Sequence, residues 1–257
     1  MSRACSTVGL ARSTFDYEGK KQESTELRTA LKELTAKRPR WGLPRVHSRL
    51  RKDGLVVNHK RTARIYAEEK LQVRHRKRKK RSRLPKIERP KATRPNEVWS
   101  IDFVHDWLLT NRKLKCLTVI DDFTKESVGI LVDHSISGAR VAEFFKSLPM
   151  LPARIRSDNG PEFDSTAFTL FAEEVGIIHE FITPGKPNEN AYIESFNSRF
   201  RDECLNQHVF RNLEEAKRKI EDWRNEYNTE HLHSSLGMKT PKEFAEDWRK
   251  CYQSNAS

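Results

Sequence analysis

Three acidic residues stand in stretches whose other residues favour burial or a tight turn. Asp102 lies inside an apolar, strand-like run, on the opposite strand face from its neighbours Ile101 and Phe103. Asp158 ends a second strand-like run and precedes an Asn-Gly pair, a turn signal that would expose the carboxylate at a sheet edge. Glu194 lies in a helical pattern that is otherwise apolar on its inner face. A carboxylate near a core face costs free energy unless it is paired, hydrogen-bonded or bound to a metal ion.

Convergent carboxylates suit phosphodiester chemistry with divalent metal ions. Acids from different elements can hold two ions about 4 Å apart, which activate a nucleophile and stabilise the leaving oxygen. Arg201 follows Glu194 by seven residues, a rotation of about 700° along a helix, so both side chains would share one face. Arg201 could then contact a phosphate held at the ions. Each acid alone could equally be a solvated side chain, and Arg201 an exposed residue paired with Asp202 or Glu203.

Other titratable residues compete for these roles. Asp106 follows the predicted strand and is expected to be solvated. Asp122 is the stronger rival to Asp102, because it ends an apolar run and a strand-end acid can also meet a metal ion. His231 and His233 lie close together, but no third ligand is evident, which favours a helix-end or loop pair over a metal site.

The segment that must position these acids starts near residue 96. Apolar patterning predicts three strands, then alternating helix and strand, then a long helix opened by Asn190. The predicted strands are 98–104, 113–121, 128–132, 154–158 and 177–182, with helices at 138–148 and 166–175 between them. This order predicts a mixed sheet with helices on both faces.

The N-terminal region, residues 1–73, is helical in pattern. It predicts two short helices around Gly9, a helix at 23–37, one that starts near Pro44, and one at 59–69 with Asn58 as its N-cap. Two short helices joined by a turn, the second of them basic, are typical of a helix-turn-helix reader of DNA. An ordinary three-helix bundle with a solvated basic face fits the pattern as well. The outer cations of the last helix, predicted to contact phosphate, are Lys60, Arg61 and Arg64.

Residues 74–95 form a basic, proline-containing linker. Self-repulsion should keep the cationic run at 74–83 extended, and Pro85, Pro90 and Pro95 stiffen the approach to the next folded unit. Because the run lies between two folded units, we expect it to bind along DNA phosphates; the alternative is that it is a targeting signal. The predicted DNA contacts of the run are Arg74, Arg76, Lys77, Arg78, Lys79, Lys80 and Arg81.

Charge is divided unequally along the 257 residues. The formal net charge is +13, but residues 1–95 carry 29 Lys and Arg against 9 Asp and Glu, whereas residues 96–257 carry 20 against 27. The first part is suited to a polyanion and the second to cations, which points to nucleic acid or an anionic membrane surface as partner. The four cysteines are scattered, and no apolar run resembles a signal peptide or a membrane span. We therefore expect a cytoplasmic protein that is associated with the nucleoid when it is on DNA, with no membrane partner.

Several motifs together resemble the DDE transposase and retroviral integrase core. They are WSIDF at 99–103, TVIDDFT at 118–124, SDNGPEF at 157–163, PGKP at 184–187 and NAYIESF at 190–196. The 35 residues between Asp158 and Glu194 are the spacing characteristic of that group. NHKR at 58–61 and the stretch from YNTE at 227 to TP at 241 are similar to flanking signatures of the insertion-sequence-three family, in its second-reading-frame product.

The resemblance implies an RNase H-like catalytic core at 96–257, with a mixed five-stranded sheet, preceded by a small all-α helix-turn-helix-like domain. It implies two Mg²⁺ ions, or Mn²⁺ in their place, held by Asp102, Asp158 and Glu194, with Asp102 bridging both. Water would cleave one strand at the element end, and the freed 3′-hydroxyl would attack a second phosphodiester. Lys186, in the PGKP motif, is a further predicted DNA contact.

The implied partners are double-stranded DNA, as transposon ends and target, further copies of the chain on that DNA, and an upstream-frame product or fusion. Residues 1–95 lack the two-His, two-Cys spacing of the retroviral zinc domain, and no heptad run is sustained enough for a leucine zipper. Two other functions remain open at this point. One is a non-enzymatic DNA-binding regulator with a decayed core, and the other is a nuclease of the same fold that cleaves but does not join.

Overall fold

The computed structural model describes residues 25–56, 58–73, 91–183 and 187–255, together with Cys5, Thr7 and Gly9. The cationic run at 74–83, Lys186 and most of the predicted helix pair around Gly9 therefore lie outside the described residues.

The N-terminal helical unit consists of α1 (Thr25–Lys37), α2 (Leu43–Lys52) and α3 (His59–Glu68). Pro44 occupies the first turn of α2, where its missing N–H costs nothing. Asn58 caps α3 by accepting a hydrogen bond from the Lys60 backbone N–H at 2.9 Å, as the sequence predicts. The three helices enclose a core of their own, built from Leu27, Leu31, Trp41, Val46, Leu50, Ile65 and Tyr66.

The second unit is built on a mixed five-stranded sheet. Its strands are β1 (Val98–Trp107), β2 (Lys113–Asp121), β3 (Ser127–Asp133), β4 (Arg154–Ser157) and β5 (Ile178–Phe181), in the order β3-β2-β1-β4-β5. β1, β2 and β3 pair antiparallel, whereas β4 runs parallel to β1 and β5 runs parallel to β4. β1 is longer than its apolar pattern predicts, because pairing with β2 continues to Trp107. Asp106 is thus a half-buried strand residue, which corrects its placement after the strand.

Helices cover both faces of the sheet, as predicted. α4 (Gly138–Lys146) and α5 (Thr166–Glu174) pack on the face that contains Ile101. α6 (Ala191–Glu203) and α7 (Leu213–Glu230) pack on the face that contains Val104, with the aromatic pair Trp223 and Tyr227 buried between them and the sheet. Among the described residues, no helix combines the length and the apolar character needed to span a bilayer.

The helical unit packs against the last helices of the core. The Trp41 ring lies edge-on to the His231 ring at 5.6 Å, and Leu232 is buried in the core of the helical unit. Nζ of Lys52 lies 2.6 Å from Oε2 of Glu243, in the final helix α8 (Pro241–Asn255). The two units are therefore in direct contact along α7 and the segment that leads from it into α8.

Candidate active site

Asp102 lies near the middle of β1, on the sheet face covered by α6. Its side chain is half-buried and is held from two sides. Oδ1 accepts a hydrogen bond from the backbone N–H of Phe103 at 2.7 Å, and Oδ2 accepts one from Nδ2 of Asn197 at 2.8 Å. These two donors fix the orientation of the carboxylate and leave its remaining lone pairs for a further ligand.

Asp158 directly follows β4, the parallel neighbour of β1. Ser100 pairs with Arg156 in the register of the two strands, and Asp102 and Asp158 each come two residues later. Parallel strands carry matched positions side by side, so the two carboxylates leave the sheet close together. Asp158 is exposed, and its Oδ1 accepts a hydrogen bond from the Gly160 N–H at 3.0 Å, which ties the carboxylate to the turn.

Glu194 is exposed in the first turn of α6, the helix that crosses β1 and β2. The start of this helix is fixed to the sheet by Asn190, whose Nδ2 donates to the Ile101 carbonyl at 3.4 Å. Ile193 is buried in the core beneath the helix. Glu194 lies close enough to Asp102 for its carboxylate to help raise the pKa of that residue.

The three acids influence one another. The pKa of Asp102 is raised to about 6, mainly by burial and in smaller part by the carboxylates of Asp158 and Glu194, whereas the donors on Phe103 and Asn197 act in the opposite direction. The carboxylates of Asp158 and Glu194 thus lie near enough to Asp102 to act on its charge.

The donor set fits a hard divalent cation. Three carboxylates provide only oxygen ligands, which is the chemistry preferred by Mg²⁺, and a cation would offset both the cost of burying the Asp102 charge and its repulsion by the other two acids. Within the described part of the chain, no three His, Cys, Asp or Glu side chains have closed to the spacing of a formed metal site. The three carboxylates are thus near one another but are not at the distances of a formed metal site.

Asn197 is a site residue that the sequence did not identify. It lies one turn after Glu194 on α6, and its Oδ1 accepts a hydrogen bond from Oγ1 of Thr118 at 2.8 Å. Thr118 is the β2 partner of Asp102 in the sheet register, and its hydroxyl also lies 3.1 Å from the Asp102 carbonyl. The available signal was the three-residue spacing from Glu194, which places both residues on one helix face.

Arg201 lies two turns beyond Glu194 and is exposed. Its Nη2 donates to the backbone carbonyl of His105 on β1 at 2.8 Å, which holds the guanidinium alongside the strand that carries Asp102. The acids next to it in the chain engage other cations, since Asp202 lies 3.2 Å from Arg40 and Glu203 lies 3.8 Å from Arg38.

Asp122, the rival acid, is buried in an ion pair. Its Oδ2 lies 3.2 Å from Nη1 of Arg156, and burial raises the pKa of Asp122 to about 6 although Arg156 and Ser100 lower it. The Asp122 carboxylate is therefore taken up by a buried ion pair beside Ser100, whereas Asp158 and Glu194 are exposed.

The comparisons with known proteins agree on one family. The chain is 46% identical over 261 residues to an insertion element IS476 protein of 39.2 kDa from Xanthomonas euvesicatoria. The matched region covers 99% of this chain and 75% of that protein. It is 45% identical to an insertion element IS407 protein of 31.7 kDa from Burkholderia multivorans, over 95% of this chain and 89% of that protein. The chain belongs to the insertion-sequence-three family of transposases.

Both units of this transposase match known domain families, and the chain also resembles a solved structure. Residues 92–187 and 175–241 match two families described as Integrase core domain, and residues 22–79 match the HTH-like domain family. A chain of the simian T-cell lymphotropic virus intasome, in complex with PP2A regulatory subunit B56 gamma, superposes with a TM-score of 0.55 and 15% identity, over 84% of this chain and 74% of that chain. The core has the RNase H-like integrase fold, preceded by a helix-turn-helix-like unit.

Of the predicted DNA contacts, Lys60, Arg61 and Arg64 belong to the described residues, and Arg61 is half-buried on α3. Lys60 and Arg64 are exposed on α3, and Nε of Arg64 lies 3.8 Å from Glu68. His231 and His233 are both buried, and burial lowers the pKa of His233 to about 2. His231 follows α7 directly and His233 pairs with Lys239 in an isolated bridge, so the two histidines serve packing.

Proposed function

We propose that this chain cleaves DNA at the ends of an insertion element and joins the freed 3′ ends to a target duplex. The observation that carries the proposal is the proximity of Asp158 and Glu194 to Asp102: the three acids come from three elements, and the pKa of Asp102 is raised by burial and by the charges of the other two. Membership of the transposase family and the integrase fold support the same reaction.

The three carboxylates would hold two Mg²⁺ ions, or Mn²⁺ in their place. Such ions, when bound, activate a water or a 3′-hydroxyl and stabilise the leaving oxygen of an in-line displacement. Asp102 would hold the ions together with the other two acids. Asn197 keeps that carboxylate in one orientation through its 2.8 Å hydrogen bond. The work of the side chains is thus to hold charge and geometry, with no covalent link to DNA.

Arg201 would contact a DNA phosphate next to the acids. A guanidinium offers a planar, bidentate set of donors that matches two phosphate oxygens. Its single contact with a backbone carbonyl leaves further N–H groups exposed to solvent.

The basic N-terminal part would bind the duplex on either side of the reacting bond. Lys60, Arg61 and Arg64 on α3, the cationic run at 74–83 and Lys186 supply positive charge, while the core is net acidic. We propose that further copies of the chain assemble on the DNA, with an upstream-frame product or fusion as an additional partner, in the bacterial cytoplasm at the nucleoid. The domain limits 1–73, 74–95 and 96–257 are part of this proposal.

A cleavage assay tests the function. An end-labelled duplex carrying the ends of the encoding element is incubated with Mg²⁺ and with wild type, Asp102→Asn, Asp158→Asn or Glu194→Gln. We expect nicked products from the wild type and from the control Asp106→Asn, and none from the three site variants, with duplex binding retained by all. Wild type that binds but leaves the strand intact would make the chain a regulator. Nicking without products longer than the substrate would make it a nuclease.

A further inference from the structure

The turn between β2 and β3, residues 121–125, touches each of the three elements that carry the acids. The turn is stabilised by local hydrogen bonds, because Oδ1 of Asp121 accepts from the N–H groups of Phe123 at 2.7 Å and Thr124 at 2.8 Å. Lys125 adopts a positive φ of 62°, a left-handed conformation that is costly for a residue with a Cβ atom. This conformation directs its side chain back over the turn, where Nζ donates to the Asp122 carbonyl.

The first two contacts run from Asp122 to β1 and β4. Its backbone N–H donates to the Val98 carbonyl at 3.0 Å, which ties the turn to the start of the strand that carries Asp102. Its carboxylate pairs with Arg156, two residues before Asp158, and the exposed fractions of the two side chains are only 1% and 6%. Arg156 also pairs with Glu180 on β5 at 3.1 Å, so its guanidinium is held from two sides.

The third contact runs from Lys125 to α6. Its Nζ lies 3.2 Å from the centre of the Tyr192 ring, and Tyr192 comes two residues before Glu194. A cation over an aromatic face is attracted by the ring quadrupole, most strongly where water is partly excluded, and Lys125 is half-buried. On its outer side the turn packs Phe123 against Phe244 of α8, with ring centres 5.5 Å apart.

We infer that the 121–125 turn positions the three acids for metal binding, with Asp122 and Lys125 as its positioning residues; this rests on the proposed function. These five consecutive residues fix the relative positions of three parts of the fold, which are the start of β1, the end of β4 and the first turn of α6. Carboxylates on three separate elements can hold the same ions only if those elements keep a fixed spacing, within a fraction of an ångström. Neither Asp122 nor Lys125 needs to touch metal or DNA for this role.

The inference is tested on Lys125 with a matched control. Lys125→Met keeps the aliphatic length and removes the cation, and Lys113→Met does the same to a lysine that lies 5.7 Å from the Trp107 ring at the far end of β1. In the cleavage assay we expect Lys125→Met to need at least tenfold more Mg²⁺ for half-maximal rate. Its KM for DNA and its melting temperature should match those of Lys113→Met. Lys125→Arg, which restores the cation, should recover part of the Mg²⁺ affinity.

A second variant guards against a folding defect. Tyr192→Leu removes the ring face and should reproduce the Mg²⁺ defect, whereas Tyr192→Phe keeps the face and should behave as wild type. An unchanged Mg²⁺ requirement in both Lys125→Met and Tyr192→Leu would overturn the inference, as would a loss of melting temperature that accounts for the lost rate. Absence of cleavage by the wild type would instead refute the proposed function, so the two failures are distinct.

Discussion

Asn197 donates a hydrogen bond to Oδ2 of Asp102 at 2.8 Å, and its own amide oxygen accepts one from Thr118. The amide group therefore links the helix that carries Glu194 to the two central strands. Such a bridge transmits the position of α6 to the carboxylate at the middle of the site.

We expect Asn197→Ala to slow cleavage by at least about tenfold, equivalent to roughly 1.4 kcal/mol of transition-state stabilisation, because Asp102 loses the donor that fixes its orientation. Asn197→Asp should be slower still, since a fourth carboxylate adds repulsion. The rates are measured under saturating DNA and Mg²⁺. Asn225→Ala, which removes an exposed amide on α7 that contacts Glu221, is the control and should keep the wild-type rate. A wild-type rate for Asn197→Ala would show that the bridge has no role in the reaction.

The pKa of Asp102 makes the stability of the metal-free protein depend on pH. Because its pKa in the folded chain is raised to about 6 from an ordinary 3.8, the stability that this group contributes is highest below pH 4 and is lost as pH rises through 6. Asp102→Asn removes this cost and should stabilise the metal-free protein at pH 8 by on the order of 1 kcal/mol, after allowance for the partial exposure of the group.

Thermal unfolding without metal, at pH 8 and pH 4, measures this difference. The gain from Asp102→Asn should become much smaller at the lower pH, because the carboxyl is then protonated in the folded chain and a large part of the cost of ionising it there is no longer incurred. Added Mg²⁺ should raise the melting temperature of the wild type more than that of the variant. A variant that is less stable than the wild type at pH 8 would mean that the ionised carboxylate of Asp102 is not destabilised by burial and by the neighbouring acids.

Arg201 is expected to act on the reaction and not on the fold. Arg201→Ala should reduce cleavage or joining by more than about tenfold, and Arg201→Lys should recover only part, because a lysine cannot grip a phosphate bidentately. Arg218→Ala removes an exposed arginine that lies 3.8 Å from Asp222 on α7 and serves as the control. Equal rates and equal melting temperatures for Arg201→Ala and Arg218→Ala would leave Arg201 as a surface charge.

The cationic run at 74–83 should dominate non-specific duplex binding. Each phosphate contact contributes about −0.9 to the slope of log affinity against log salt concentration, so Lys79→Gln with Lys80→Gln should flatten the slope by up to about 1.8. Binding to a duplex of random sequence is titrated from low to high salt. Neutralising Lys217 and Arg218, two exposed cations on α7, should leave the slope unchanged. The same slope for both double variants would favour the alternative that the run is a targeting segment.

Local pattern was sufficient to predict most of the elements. Alternation around Asp102 placed it on the face of β1 opposite Ile101, and that separation is observed between the two core clusters. The cap at Asn58 follows from local backbone chemistry, which depends on neighbours in the chain, whereas Asn190 makes no side-chain cap at the start of α6 and donates to the Ile101 carbonyl instead. Strand and helix order then restricted the sheet to a mixed type with two covered faces.

Contacts between distant elements could not be predicted in this way. The pairing of Asp122 with Arg156, the ring contact between Lys125 and Tyr192, and the bridge from Asn197 depend on which strands and helices become neighbours in space. Asp122 was a credible rival to Asp102 for the same reason, since only the burial of its partner shows where its carboxylate points. The roles of the acids, of Arg201 and of the basic residues in the reaction stay predictions.

Joining of a pre-cleaved end tests the central claim most directly. A duplex with a free 3′-hydroxyl at the element end is mixed with target DNA, Mg²⁺ and either the wild type or Asp158→Asn, under conditions in which both proteins bind all of the DNA. We expect products longer than the substrate with the wild type, and none with Asp158→Asn, because one of the three carboxylates has lost its charge without losing its volume. Equal joining by the two proteins would contradict the assignment of the acids to the reaction.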